Sequence, residues 1–365
     1  MMKQLARCIA MGAGALALAA CGGGGGGGSS LYAGPGASGP TGGGTGSTGG
    51  GGISQVSTGV PTQRSMSLSA EKYALNWSFD GDVASITVRI TDTAGNPVPD
   101  GTPVQFSTEG GQILTSCRLT GVTQGATTIS ACSVTFSTQN LRPLDGLVTI
   151  LAWMEGQEAF IDLNGNGSFD SGEPFYESGR IYRDDNTNAI YSPGIDELNV
   201  GGTVASSPGL GTLPCGASPG YTETSFGFSS ADPANFYLGT APYSVPDTCD
   251  GQWGRTLVRG SVTFPVSDPR VMQILVSGPR EVVLFSDFAL ASGSSSNPTA
   301  APAGTTVSVV APPAGCTIVI TPPAVSVTAV APTFHTLVTT GTCSGSVTVK
   351  AAFGDIETSV VVPLP

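Results

Sequence analysis

Residues 162–173 read DLNGNGSFDSGE, and their oxygen-bearing side chains fall at a spacing suited to holding a metal ion. Asp162, Asn164, Asn166, Ser168, Asp170 and Glu173 stand at positions 1, 3, 5, 7, 9 and 12 of the run, with Gly167 at position 6. On a tightly curled backbone, alternate side chains converge on one centre. Glycine permits the sharp turn, and a closing glutamate can offer both of its oxygens. The donors are all oxygen, so the expected chemistry is capture of a hard cation, with calcium as the cofactor. Three carboxylates and two amides set an affinity in the range of extracellular modules, about 10⁻⁴–10⁻³ M. The run lies in an acidic stretch, since residues 155–197 hold ten Asp and Glu against Arg180 and Arg183.

The twelve residues match the calcium loop of EF-hand proteins position by position, and the resemblance implies the ligand set just named. The flanks differ from an EF-hand. Ala159-Phe160-Ile161 continues a strand, and Pro174 directly after Glu173 does not favour a helix interior. The expectation is therefore a calcium loop carried by a β-domain, the alternative being a solvated Asp/Asn/Gly turn. A second, degraded copy follows. Aligning Asp184, Asn186 and Asn188 with Asp162, Asn164 and Asn166 places Tyr191 on Phe169 and Gly194 on Gly172. Ala189 then replaces the loop glycine, Ser192 replaces Asp170 and Ile195 replaces Glu173, so this run is expected at most to lend Asp184 or Asp185 to the first site.

Other chemistry is thinly represented. The single histidine, His335, sits in the strand-like run PTFHTLVTT, and no Gly-x-Ser-x-Gly elbow accompanies it. The clustered acids already have an account as cation ligands. Trp77, Trp153 and Trp253 could serve as sugar-stacking platforms, but Trp77 and Trp153 fall in strand-like runs and read as core. The chain is therefore read as a non-enzyme.

The elements that must carry the loop are short alternating runs separated by turns. Residues 84–92, ASITVRITD, place Ile86, Val88 and Ile90 on one face, and the turn 93–102 carries glycine and proline where a hairpin needs them. No helical period is sustained. Asn96-Pro97, Gly101-Thr102 and Val104 recur as Asn297-Pro298, Gly304-Thr305 and Val307, and Gly146 with 148–150 recurs as Gly345 with 347–349. A repeat at this spacing predicts an all-β chain of tandem sandwiches, assigned to 65–198, with the acidic insertion at 155–197, and to 251–365. Residues 199–250, rich in Gly, Pro and Ser, are expected as an extension between them, and 249–266 as a strand entering the second sandwich. The segment NPVPDGTPVQFST with its following strands resembles bacterial immunoglobulin-like domains of the invasin and intimin group, which implies an adhesive or structural role at a cell surface.

The N-terminus fits that setting. Lys3 and Arg7 precede a short apolar stretch ending in Leu18-Ala19-Ala20-Cys21, which resembles the lipobox of bacterial lipoproteins and implies a signal peptide over 1–20 and acylation of Cys21. Gly22, in place of an aspartate, implies the outer membrane or cell surface, reached through the N-terminal lipid. Residues 22–52 include 18 glycines and no charge, so 21–64 are expected as a flexible tether. In an exported chain the six remaining cysteines should pair. Fifteen pairings are possible, and sequence proximity favours Cys117 with Cys132, Cys215 with Cys249, and Cys316 with Cys343. The balance of 14 Lys and Arg against 26 Asp and Glu, a net charge of −12, excludes a nucleic-acid partner. The expected function is a surface-anchored structural or adhesive lipoprotein stabilised by calcium and meeting a host or envelope protein or a glycan; the alternative is an accessory component or enzyme acting on envelope carbohydrate.

Overall fold

A computed structural model describes residues 58–198, 210–215 and 241–364. The signal peptide, Cys21 and the tether up to residue 57 lie outside the described residues. In chain order the strands are β1 (Ser67–Ala70), β2 (Val83–Ile90), β3 (Pro103–Thr108), β4 (Gln112–Ile113), β5 (Ser116–Arg118), β6 (Thr120–Gln124), β7 (Thr127–Ser137), β8 (Leu147–Gln157), β9 (Leu210–Leu213), β10 (Arg255–Pro265), β11 (Met272–Gly278), β12 (Glu281–Ser286), β13 (Thr306–Val310), β14 (Cys316–Thr321), β15 (Thr333–Gly341), β16 (Gly345–Phe353) and β17 (Ile356–Leu364). A single turn of helix, α1 (Phe288–Ala291), follows β12. Among the described residues no helix is long and apolar enough to cross a membrane.

The strands form two immunoglobulin-like sandwiches of antiparallel sheets. In the first, β1-β2-β7-β4, with β6 alongside β7, faces β10-β8-β3-β5. In the second, β11-β12-β15-β14 faces β13-β16-β17. The two share one wiring. β2 pairs with β7 as β12 pairs with β15, and β8 stands between β3 and β10 as β16 stands between β13 and β17. The repeated sequences occupy equivalent places: Val104 and Val307 are buried on β3 and β13, and Val148 and Val347 are buried near the starts of β8 and β16.

Period-two alternation builds the cores. On β2, Ala84, Ile86, Val88 and Ile90 all point inward. They meet Val148, Ile150, Ala152 and Met154 from β8, while Phe136 and Phe264 stack at 5.1 Å in the middle of the first core. β8 is buried on both faces. Its outer residues Leu151 and Trp153 pack against Ile181, Tyr243 and Leu257, so a second layer covers this sheet.

That layer corrects the expected domain boundary. The strand at 255–265 does not enter the second sandwich. β10 runs antiparallel along the whole of β8, from Arg255 opposite Gln157 to Pro265 opposite Leu147, and completes the first sandwich. Residues 158–254 are therefore an insertion in sequence between its last two strands, and Ile181 and Tyr243 of its described part pack on the outer face of β8. The expected start of the first domain also moves. Thr58 and Gly59 donate backbone N–H groups to Asp92, and the Gln63 side chain bonds both the N–H and the C=O of Arg259, so residues 58–64 belong to the folded body rather than to a tether.

Disulfides join Cys117 to Cys132, Cys215 to Cys249 and Cys316 to Cys343. The first ties β5 to β7 across the two sheets of the first sandwich. The second closes the described part of the 199–250 region, where Leu210 and Leu213 also bridge to Cys249.

The sandwiches are docked. Tyr73 donates its N–H to Val327 O (2.8 Å), Ala303 to Ala74 O (2.9 Å), and the Asn297 amide to Asp145 O (2.7 Å). Phe288 of α1 packs against the first core. Two of these bonds join backbone to backbone and the third a side-chain amide to backbone.

Candidate calcium centre

The loop at 162–173 sits at the tip of a hairpin in the insertion. Phe160 bridges to Phe175, Ile161 donates its N–H to Pro174 O, and Tyr176 donates to Ala159 O, so two short strands present the twelve residues between them. The absence of flanking helices agrees with Pro174.

Inside the loop the side-chain oxygens turn inward. Asp162 Oδ1 accepts the N–H groups of Gly165 and Asn166, and Oδ2 accepts that of Gly167 at 2.6 Å. Asn164 Oδ1 and Asn166 Oδ1 each accept the N–H two residues ahead. Glu173, 6 % exposed, closes the ring by accepting from Leu163 (2.8 Å) and Asp170 (2.9 Å). Both asparagine amides donate to Asp170 Oδ2, at 2.6 and 2.7 Å. Asp162, Asn164, Asn166, Asp170 and Glu173 are thus tied into one hydrogen-bonded network within the loop. Ser168 contributes its N–H to the Asn166 turn. The curl needs left-handed backbone at Gly165 (φ 74°) and Gly167 (φ 77°), which is why glycine stands at both. A donor set of oxygens alone, three of them anionic, fits calcium. Among the described residues no group of three or more His, Cys, Asp and Glu side chains stands gathered as a metal cluster.

The centre is wired to the body through Phe169. Its ring stacks on Trp253 at 4.6 Å and meets Phe160 and Phe175 edge-on, while Trp253 Nε1 donates to Glu158 O at the end of β8. Trp253 is therefore a loop anchor, whereas Trp77 and Trp153 are core.

The second run repeats this architecture more fully than its sequence indicates. Asp184 Oδ2 accepts the N–H of Ala189 as Asp162 Oδ2 accepts that of Gly167, and the amides of Asn186 and Asn188 reach Ser192 as those of Asn164 and Asn166 reach Asp170. Thr187 (φ 52°) and Ala189 (φ 62°) hold the left-handed conformation that glycines hold in the first loop. The closing acid is not lost at Ile195. Asp196, one residue later, accepts from Asp185 N (3.0 Å) and Ser192 N (2.6 Å) as Glu173 accepts from Leu163 and Asp170. A shorter side chain one position on reaches the same place. Tyr191 packs on Tyr182 as Phe169 packs on Phe160. Asp184 is engaged within its own loop and Asp185 pairs with Arg183.

No protein-family model matches the chain, and no curated protein matches it. Among solved structures it is similar to the Yersinia pseudotuberculosis adhesin InvE, at 12% identity and a TM-score of 0.22. The match covers 87% of this chain and 61% of that one, so the chain spans less than two thirds of that protein's length. The fold assignment rests on the strand wiring described above.

His335 is wholly buried, with Nδ1 2.7 Å from Pro322 O and Nε2 2.9 Å from Thr333 Oγ1, so both ring nitrogens are spent on structure. A cleft of about 650 Å³ opens between β3 and the β4 turn, lined by Gln105, Thr108, Gln112, Arg183 and Glu197. Near it, Glu109 accepts Thr149 N–H at 3.1 Å. Burial pushes its carboxyl up to about 8; Asp185 and Asp145 push the same way, against the Thr149 N–H and Arg183. A carboxyl raised in the folded state adds stability that is complete below about pH 4.5 and lost as pH rises through about 8. Thermal unfolding of Glu109→Gln should therefore match the parent near pH 4 and exceed it at pH 9. A Gln variant less stable than the parent at pH 9 would contradict this.

Proposed function

We propose that the chain is a lipid-anchored, non-catalytic display protein of the bacterial outer envelope, whose insertion at 158–254 is the recognition surface and is stabilised by calcium. The observation that carries this reading is the insertion itself. The insertion packs Ile181 and Tyr243 on the outer face of β8 and carries two oxygen-rich loops and a disulfide-closed segment. Recognition surfaces are typically loops held by a folded scaffold, and here the scaffold is a pair of sandwiches joined by hydrogen bonds. Leu163 (52 % exposed) and Ile190 (66 % exposed) offer apolar contact at the loops. The cleft beside β3, where Gln105, Gln112, Arg183 and Glu197 stand beside the apolar Phe106, Ile113 and Trp153, favours a glycan as one class of partner, and it is the feature a carbohydrate-active alternative would use.

Cys21 supplies the anchor and the glycine-rich residues after it supply reach. Cys21→Ala should move the mature protein from the membrane fraction to the soluble fraction. Protease added to intact cells should remove the anchored protein. Retention of the Ala variant in membranes, or full resistance of the parent on intact cells, would contradict the reading.

A further inference from the structure

A second feature of the insertion lies apart from both loops. Glu158, directly after β8, is 0 % exposed, and Glu177, directly after the first hairpin, is 2 % exposed. Glu158 Oε1 accepts the N–H of Ser178 (2.8 Å) and Oε2 that of Gly254 (3.2 Å). Glu177 takes the N–H of Gly251 on its carboxylate, but its Oε2 is buried without a hydrogen-bond partner, and so is the hydroxyl of Ser178 beside it. Among the described residues neither glutamate belongs to an ion pair. The nearby cation, Arg259, is fully buried and spends its donors on Pro242 O, Leu257 O and Ser244 Oγ.

Arg259 lies within electrostatic reach of Glu158, but buried carboxylates without a directly paired cation are costly, and an orphaned buried oxygen adds to the cost. Burial pushes Glu158 up to about 9, and the next largest cause is the charge of Glu177, whose neighbour Ser178 donates its N–H to Glu158 Oε1. Burial also pushes Glu177 up to about 7, opposed by the Gly251 N–H and assisted by Asp250. Protons could relieve the repulsion, but a proton on either acid leaves the Ser178 hydroxyl and the Glu177 oxygen without partners. A cation relieves both. The oxygens present are hard donors, with no sulfur or imidazole among them, which selects a divalent ion of the calcium class.

We propose that Glu158 and Glu177, with the Ser178 hydroxyl, hold a calcium ion that fastens the end of β8 and the 175–178 segment to the 241–254 segment, independently of the loop at 162–173. Ala241 N–H also reaches Glu177 O and Glu158 N–H reaches Gly254 O, so both acids are already tied to the 241–254 segment that binding would hold in place.

Native mass spectrometry of the mature chain in calcium reads the number of ions directly, and calorimetric titration with calcium chloride reads their affinity. The parent should hold two ions. Asp162→Ala with Glu173→Ala should hold one, and adding Glu177→Gln should remove it or weaken it at least tenfold. Glutamine is close in shape to a protonated glutamate, so the substitution keeps the packing. Glu158→Gln serves as an independent variant with the same expected loss. One ion in the parent and none in the loop variant would overturn the proposal while leaving the loop intact. Equal stoichiometry in parent and loop variant would instead remove the loop reading, and Glu177→Gln must then abolish the ion that remains. Undiminished binding in both glutamine variants, with equal or greater stability in chelator, would show that protons and not a cation occupy the pair.

Discussion

Calcium at about 10 mM raises the unfolding midpoint of the mature chain by about 5–10 °C, and the loop's share of that rise disappears in the Asp162→Ala, Glu173→Ala variant. The magnitude follows from linkage. For a dissociation constant of about 10⁻⁴ M, this concentration is about a hundredfold excess and adds about 2.7 kcal/mol to the folded state. In a domain of this size, each kcal/mol moves the midpoint by about 2–4 °C. The two residues are chosen because Asp162 accepts three backbone N–H groups and Glu173 two, so each holds the curl as well as the ion. In chelator the double variant should consequently be somewhat less stable than the parent. Superimposable parent unfolding curves in calcium and in chelator would contradict the account.

Phe264→Ala lowers stability by about 3–5 kcal/mol, the cost of deleting a fully buried aromatic ring, and does so in the first sandwich. Phe264 lies on β10, stacks on Phe136 at 5.1 Å and on Tyr73 at 5.5 Å, and is wholly buried. Hydrogen exchange should show the loss of protection in β2, β7 and β8. If residues 255–265 served the second sandwich instead, protection would fall in β16 and β17. The same topology makes a fragment ending at residue 198 unable to fold, since it lacks the strand that runs along the whole of β8.

Much of this was legible in the chain. The alternation of β2 gave a half-buried strand because one face meets a core and the other meets water. The repeats around Val104 and Val307, and around Val148 and Val347, marked equivalent strands because both copies bury the same positions. The place of β10 was not legible. Its partner β8 precedes it by the whole insertion, and a strand's own residues do not say across which gap it pairs. β8 itself gave a continuous apolar run because both its faces are covered, and the cover was invisible until Ile181 and Tyr243 were placed over Leu151 and Trp153. The closing acid of the second loop was missed for a related reason. Strict register puts Ile195 where Glu173 stands, but the backbone turns enough for Asp196 to make the same two bonds. The docking of the sandwiches uses backbone groups of Tyr73, Ala74 and Val327, which carry no side-chain signature.

The three arms of the account meet at Trp253, whose ring stacks on Phe169 of the loop and whose N–H holds the end of β8. Tryptophan fluorescence in a calcium titration of the mature chain therefore reports on the loop through this stack. The account predicts a saturable change centred at about 10⁻⁴–10⁻³ M, and the Asp162→Ala, Glu173→Ala variant should lose the loop's share of it. No change in the parent, or the same change in both proteins, would contradict it.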